Sequence, residues 1–313
     1  MMNEWLTTLQ REYAVLRDGG GIVQLRDWSS VTVTGADRQS FLHNFCTNDI
    51  KRLATGDCCE AFFTNVKGKI VGHGLVTCCE GELVVVGPPR QAARLIEHLD
   101  RYVLREDVQL RDTTTERAYW ASSRGLQIAD AVRADVAARM FPWDLFRIGT
   151  GASCLIEIVA AASTRFSAAL AQSGATVCSP AVFDVLRIEA GVPLDGVDFD
   201  EHNFPQEVGR DAQAISFTKG CYLGQETVAR IDAMGHVNQR IAGLRFAGEI
   251  VPAAGAGLSR GGKAVGHVTS AAYSPRLAAP LALAMVRREH AEPGSSLDSP
   301  VGACEVIALP LPD

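Results

Sequence analysis

Apolar positions recur at two periods along this chain. Leu6, Leu9, Tyr13 and Leu16 fall at helical spacing and predict a short opening helix. Ile22 to Leu25 and Ser30 to Thr34 read as strands, and a helix carrying Phe41, Leu42 and Phe45 follows, ending in Cys46-Thr47-Asn48-Asp49-Ile50. Strand-like runs stand at Ala61–Val66, Ile70–Thr77 and Leu83–Val86, with a helix over about Gln91 to Val103 and a strand at Val108–Leu110. Further strands are expected at Tyr119–Ala121 and Leu155–Val159, and a helix at Thr164–Gln172. Strands and helices interleave at short spacing, which argues for mixed α/β layers. After Arg240 the texture changes. Ile241–Phe246 alternates, and Gly, Ala and Pro punctuate short runs at Ala264–Thr269, Leu281–Val286 and Ala303–Leu309, the pattern of an all-β domain.

The helix after Ser179 carries the first chemistry. Ser179 is placed to cap it, Pro180 to open it and Gly191 to follow its end. Val182, Val185 and Leu186 form an apolar stripe whose next position is Glu189, so a carboxylate is expected on the buried face. A buried acid needs a partner or a ligand. A core ion pair with Arg187, Arg210 or Arg230 and a binding site are both open at this point. Leu194-Asp195-Gly196 and then Asp200 to Glu207 read as polar loop whose acids form a solvated rim.

With 313 residues, 47% hydrophobic and 21% charged, the chain has the composition of a globular protein of two or three domains. A formal charge of −6 and the lack of a dense Lys/Arg run argue against nucleic acid as a partner. The longest apolar run, Leu277 to Val286, is too short to span a bilayer, and residues 1–20 lack the apolar segment of a secretory signal. The nine cysteines include two adjacent pairs, Cys58-Cys59 and Cys78-Cys79, but no C-x-x-C, so free thiols in a reducing cytoplasm are expected, with no metal or cluster held by this chain alone.

The densest chemistry lies in Lys219-Gly220-Cys221-Tyr222-Leu223-Gly224-Gln225-Glu226, read as a glycine-broken loop turning into a helix. A cysteine near a helix start, with Lys219 beside it and Arg230 one to two turns on, meets the conditions that favour a thiolate. An inert buried cysteine is the competing reading.

This octapeptide resembles the signature of the YgfZ family of folate-binding proteins, relatives of the glycine-cleavage T-protein. Leu186-Arg187-Ile188-Glu189-Ala190-Gly191 is similar to the superfamily segment whose glutamate binds the pterin of tetrahydrofolate, and Phe41-Leu42 with Thr47-Asn48-Asp49-Ile50 is similar to its N-terminal hallmark. The resemblance implies an α+β fold: two interleaved mixed α/β subdomains around a central folate cavity, over residues 1–240 (roughly 1–115 and 116–240), plus a C-terminal β-barrel over 241–313. It implies Cys221 and Lys219 as catalytic residues, and Glu189, Asn48, Gln225, Glu226 and Arg230 as folate-binding. It further implies tetrahydrofolate or a derivative as cofactor, and iron–sulfur client or assembly proteins, including tRNA-modifying enzymes, as partners. T-proteins carry an acidic residue after their third strand, used in aminomethyl transfer. Here Lys67-Gly68-Lys69-Ile70-Val71-Gly72-His73-Gly74 offers glycine and histidine instead. A T-protein-like one-carbon transferase is therefore the alternative function, and His73 on its apolar strand reads as a hydrogen-bonded structural residue.

Overall fold

The computed structural model describes residues 2–122, 136, 138–143, 153–235 and 237–312, with side chains from residue 7 onward. Two five-stranded sheets and a closed six-stranded barrel organise the chain. The first sheet has the order β3 (Cys58–Thr64), β4 (Ile70–Cys79), β5 (Glu82–Gly87), β2 (Ser29–Thr34), β6 (Gln109–Asp112), antiparallel throughout. The second has the order β10 (Thr176–Cys178), β1 (Gly21–Leu25), β7 (Arg117–Ser122), β9 (Cys154–Val159), β8 (Arg139–Pro142), with only the β1–β10 pair parallel. Residues 21–25 therefore lie in a sheet otherwise built from residues 117–178, so the two α/β units interleave along the chain.

Strand periodicity explains how the sheets layer. In β5, Val84 and Val86 face the second sheet and join Val23, Leu25, Tyr119 and Leu155 in one core. Leu83 and Val85 point the other way, onto α2 (Arg38–Phe45) and α3 (Ala92–Asp100) through Phe41, Leu42, Leu95 and Leu99. In β1, Ile22 leaves the shared core and meets Phe166 and Leu170 of α4 (Ser163–Gln172). Helices thus cover the outer face of each sheet, and these strands are apolar on both sides. Helix α1 (Met2–Arg17) packs on β1 and on α5 (Pro180–Glu189).

The barrel closes in the order β11 (Gln239–Phe246), β14 (Ala279–Arg287), β13 (Lys263–Ser274), β12 (Gly257–Arg260), β15 (Ser296–Ser299), β16 (Gly302–Ile307). The apolar runs foreshadow four of these strands. β12 and β15 were not expected, because each has four residues and a single buried apolar side chain, Leu258 or Leu297. The boundaries of α5 match the Pro/Gly punctuation, but Ser179 does not cap the helix with its side chain. Its hydroxyl donates to Glu12 Oε2 at 2.6 Å instead.

The barrel is fastened to the core along α5 and the loop after it. Ile188 packs against Leu281, Leu283 and Leu311. Asp198, whose side chain is 0% exposed, accepts from Arg187 Nη1 (2.9 Å) and Leu194 N (2.9 Å) on one oxygen. Its other oxygen accepts from the hydroxyls of Thr269 (2.6 Å) and Ser270 (2.5 Å). Neighbours on a regular strand face opposite ways; here the register shifts between Val268 and Ser270, and the bulge turns both hydroxyls toward one carboxylate. The expected solvated rim is thereby corrected in part, since Asp200 and Glu201 are exposed as expected. Asp195, Asp198, Asn203 and Glu207 are buried because each has a partner: Arg94 for Asp195, the donors above for Asp198, and for Glu207 the Asn203 amide and Phe204 N.

Replacing Asp198 with alanine removes the buried one of the two carboxylates on Arg187, leaving only half-exposed Asp184, and takes the acceptor from the Ser270 hydroxyl. Loss of one member of such a buried pair costs about 3–5 kcal/mol. Urea unfolding of Asp198→Ala is expected to show a midpoint lowered accordingly; an unchanged midpoint would refute the role given to this carboxylate.

Candidate functional site

The octapeptide 219–226 sits against the end of α2 and the β3–β4 turn. A helix leaves its last carbonyls without intrahelical donors. Past the end of α2 the chain extends at Cys46, and the Lys219 ammonium fills the gap, donating to the carbonyls of His43 (2.5 Å), Cys46 (2.7 Å) and Asn48 (2.9 Å). Its stem is buried, its Nζ lies 5.0 Å from the centre of the Tyr222 ring, and burial pulls its pKa down from the usual lysine value. The chain is stitched further by Leu223 N donating to Asn44 O (2.9 Å) and by Thr64 Oγ1 donating to Leu223 O (2.6 Å).

Two glycines make this approach possible. Gly224 has φ +83°, and a Cβ there would lie 2.5 Å from Asn65 O; Gly68, at φ +74°, would bring one 2.8 Å from Thr227 Cβ. Helix α8 (Gln225–Met234) starts directly after Gly224. Two short helices, α6 (Pro205–Val208) and α7 (Asp211–Ala214), precede it.

Cys221 is exposed, in contrast to the inert buried reading, and Tyr222 turns inward to Phe62, Ile70, Phe199 and Val228 rather than covering the sulfur. Lys219 corrects the expectation that its charge faces the thiol, since the ammonium is held by three carbonyls of the 43–48 segment. Gln225 is half-buried at the start of α8, while Glu226 and Arg230 are exposed on it. Asn48 does not cap α2. Its amide donates to Glu60 O (2.8 Å) and Gln213 O (2.9 Å), and its Oδ1 accepts from Asp49 N (2.8 Å), tying the loop to β3 and α7.

Beside Asn48 lies a polar cluster that sequence patterns did not suggest. Glu60 accepts from Arg210 Nε (2.9 Å) and Nη2 (2.5 Å), and its Oε1 stands 2.8 Å from His73 Nε2. The His73 ring stacks on Phe62 at 4.4 Å between centroids and meets the edge of Phe199 at 5.5 Å. Burial pushes the Glu60 carboxyl up, but the hydrogen bonds from Arg210 and His73 outweigh it and hold it at about 2. A lone acid among strand residues was the available signal, but its partners come from β4 and from a loop 150 positions away.

Glu189 is buried at the end of α5, as its stripe predicts. The arginine pairs considered for it do not form: Arg187 binds Asp184 and Asp198, Arg210 binds Glu60, and Arg230 is exposed. Instead the Tyr13 hydroxyl donates to Oε2 (2.7 Å) and the Ser274 hydroxyl to Oε1 (2.5 Å). Burial raises the Glu189 pKa above the usual carboxylate value, and the two hydroxyls oppose that rise. Lys219 thus meets Asn48, Glu189 is engaged by Tyr13 and Ser274, and the Cys221 thiol is exposed. A cleft of about 390 Å³ between the 196–203 loop and the barrel is lined by Phe199, His202, His267 and Thr269, among others, but by neither Glu189 nor Cys221. Among the described residues no helix is long and apolar enough to cross a membrane.

Comparison with known proteins agrees with this architecture. Residues 2–147 match the GCVT N-terminal domain, and residues 239–312 the glycine cleavage T-protein C-terminal barrel domain. The chain belongs to the glycine-cleavage T-protein superfamily. It is 25% identical to an aminomethyltransferase of Nostoc sp. over 93% of this chain and 83% of that protein. It is 24% identical to a putative chloroplastic transferase of Arabidopsis thaliana over 90% of this chain and 68% of that one. The crystal structure of glycine cleavage system aminomethyltransferase T from Bartonella henselae shares the fold, with a TM-score of 0.81 at 20% identity over 96% of this chain and 89% of that one.

Two outcomes follow from the site's geometry. Lys219→Met strands three carbonyls and is expected to destabilise the protein by about 1–3 kcal/mol, the cost of leaving buried polar groups unpaired. It should leave iodoacetamide modification of Cys221 in the folded protein unchanged; a slowed modification would restore the direct pairing of the two residues. The second outcome concerns acid. Because the folded pKa of Glu60 lies below the unfolded 4.5, its contribution is fully present above about pH 4.5 and is lost as pH falls toward about 2. Glu60→Gln is expected to flatten the stability–pH curve in that window, measured by urea unfolding at stepped pH.

Proposed function

We propose that this protein binds tetrahydrofolate or a derivative at Glu189 and acts, in the manner of the YgfZ family, in the assembly or maintenance of iron–sulfur enzymes, tRNA-modifying ones included. The observation that carries the reading is a buried carboxylate ending the apolar face of α5 within Leu186-Arg187-Ile188-Glu189-Ala190-Gly191. Its chemistry suits the ligand. The pterin edge offers a ring N–H and an exocyclic amine, and Glu189 holds two donors, one on each oxygen. Tetrahydrofolate supplies a carrier for one-carbon units. Asn48, Gln225, Glu226 and Arg230 are assigned to the remainder of the ligand's surroundings by their place in the matching motifs. Lys219 serves by building the loop that presents Cys221 to a client protein. The clusters belong to the clients, and the setting is cytoplasmic. The working division is residues 1–240 for folate and 241–313 for the barrel.

A second reading, transfer of an aminomethyl or other one-carbon group to or from tetrahydrofolate, is favoured by relatives named as aminomethyltransferases along most of the chain. Against it stand Gly72 and His73 where the T-protein acid falls, with His73 committed to Glu60. Aminomethyl transfer from a lipoyl carrier would decide for this second reading.

Calorimetry tests the folate site. Each hydrogen bond to a charged group is worth about 1.5–3 kcal/mol, so Glu189→Ala is expected to weaken tetrahydrofolate binding by at least about tenfold. Equal affinities for wild type and variant would reject the assignment. Failure of Cys221→Ala to restore an iron–sulfur enzyme's activity in cells lacking this protein would support the client role, and full restoration would remove the thiol from it.

A further inference from the structure

We infer that the Glu189 carboxylate is held in a latched state, in which Tyr13 and Ser274 compete with an incoming ligand for its two oxygens. This rests on the reading of Glu189 as a ligand-binding group and concerns how that group is kept before binding. The two hydroxyls come from separate elements, Tyr13 from α1 and Ser274 from β13 of the barrel. Each oxygen is engaged by one of them, and Glu189 is only 5% exposed. A fork of two donors therefore meets a carboxylate already capped on both arms and enclosed on both sides.

The contacts around the latch differ on its two sides. Ser274 is fixed, since its Oγ also accepts from Leu277 N (3.1 Å), and Leu311 N donates to Glu189 O (2.9 Å), anchoring the helix end to the chain's last residues. The Tyr13 hydroxyl has Glu189 as its one hydrogen-bond partner among the described residues, while its ring packs in the apolar core. Helix α1 makes its main contacts with α5, β1 and β10, none of them a barrel strand, and Glu12 ties it to the start of α5 by accepting from Ser179 N and Oγ. The arm that opens is Tyr13: it gives up Oε2, and α1 moves with it.

The geometry assigns three distinguishable behaviours. Tyr13→Phe keeps the ring in the core and removes the competing donor, so tetrahydrofolate is expected to bind about tenfold more tightly in calorimetry. Ser274→Ala is expected to tighten binding less, because that side stays enclosed. Amide hydrogen exchange in residues 7–17 should rise in wild type when tetrahydrofolate is added, and should be raised already in ligand-free Tyr13→Phe. If Glu189→Gln and Glu189→Ala bind as wild type does, the folate reading itself falls. If they lose binding while Tyr13→Phe binds equally or more weakly, the site stands and the latch is overturned. Circular dichroism of Tyr13→Phe establishes that the fold is kept, and Ser274→Ala tests the same competition from the barrel side.

Discussion

The carboxylate of Asp198 sets the relation between the α/β core and the barrel. It is withdrawn from water, and four donors converge on it: a guanidinium, a backbone amide and two hydroxyls. Two of those donors belong to the core and two to the barrel. Apolar contact between Ile188 and Leu281 or Leu283 brings the surfaces together but does not choose an angle between them. Directional bonds to one buried charge do. Glu189 repeats the device a short way along the same helix and strand, with Tyr13 and Ser274 as donors.

The octapeptide works by a related economy. Lys219 was read as the cation that activates Cys221, and it is in fact the cap of a helix that ends 174 residues earlier in the chain than the motif begins. Its three acceptors are the carbonyls of residues 43, 46 and 48, which no side-chain pattern could reveal because they are backbone atoms. The glycines were legible as breaks in the chain but not as points where the backbone approaches Asn65 and Thr227. What the motif presents to solvent is correspondingly small: Gly220, Cys221 and the outer face of α8.

Sequence reading succeeded where one face or one period decides the outcome. The apolar stripe of α5 located Glu189 on the buried side, and the punctuated runs after residue 240 announced an all-β domain, whose closure into a barrel only the resemblance implied. It failed where partners are distant. Asp195 and Asp198 look hydrophilic in a linear reading and are buried because Arg94, Arg187 and β13 reach them, while Asp200 and Glu201 stay exposed. The cluster of Glu60, His73 and Arg210 escaped notice for the same reason: each is ordinary alone, and its meaning lies in charges that meet only after the sheet forms. β12 and β15 were missed because four residues with one inward side chain carry almost no periodicity.

Strand β13 carries the acceptors' partners for both buried carboxylates: Thr269 and Ser270 for Asp198, and Ser274 for Glu189. The extra residue at the bulge turns the first two hydroxyls toward one carboxylate. Deleting Thr269 would leave Val268 opposite Ala284 and Ser270 opposite Leu283, a regular pairing that keeps every later side chain on its face but removes one of the two hydroxyls on Asp198. A deletion after Ser270 would instead put the later residues one place out of step, and Ser274 would leave the face that meets Glu189. Residue count along this strand is thus as strongly constrained as residue identity, and homologous chains that keep both acids should tolerate insertions in the barrel's loops but not between residues 268 and 274.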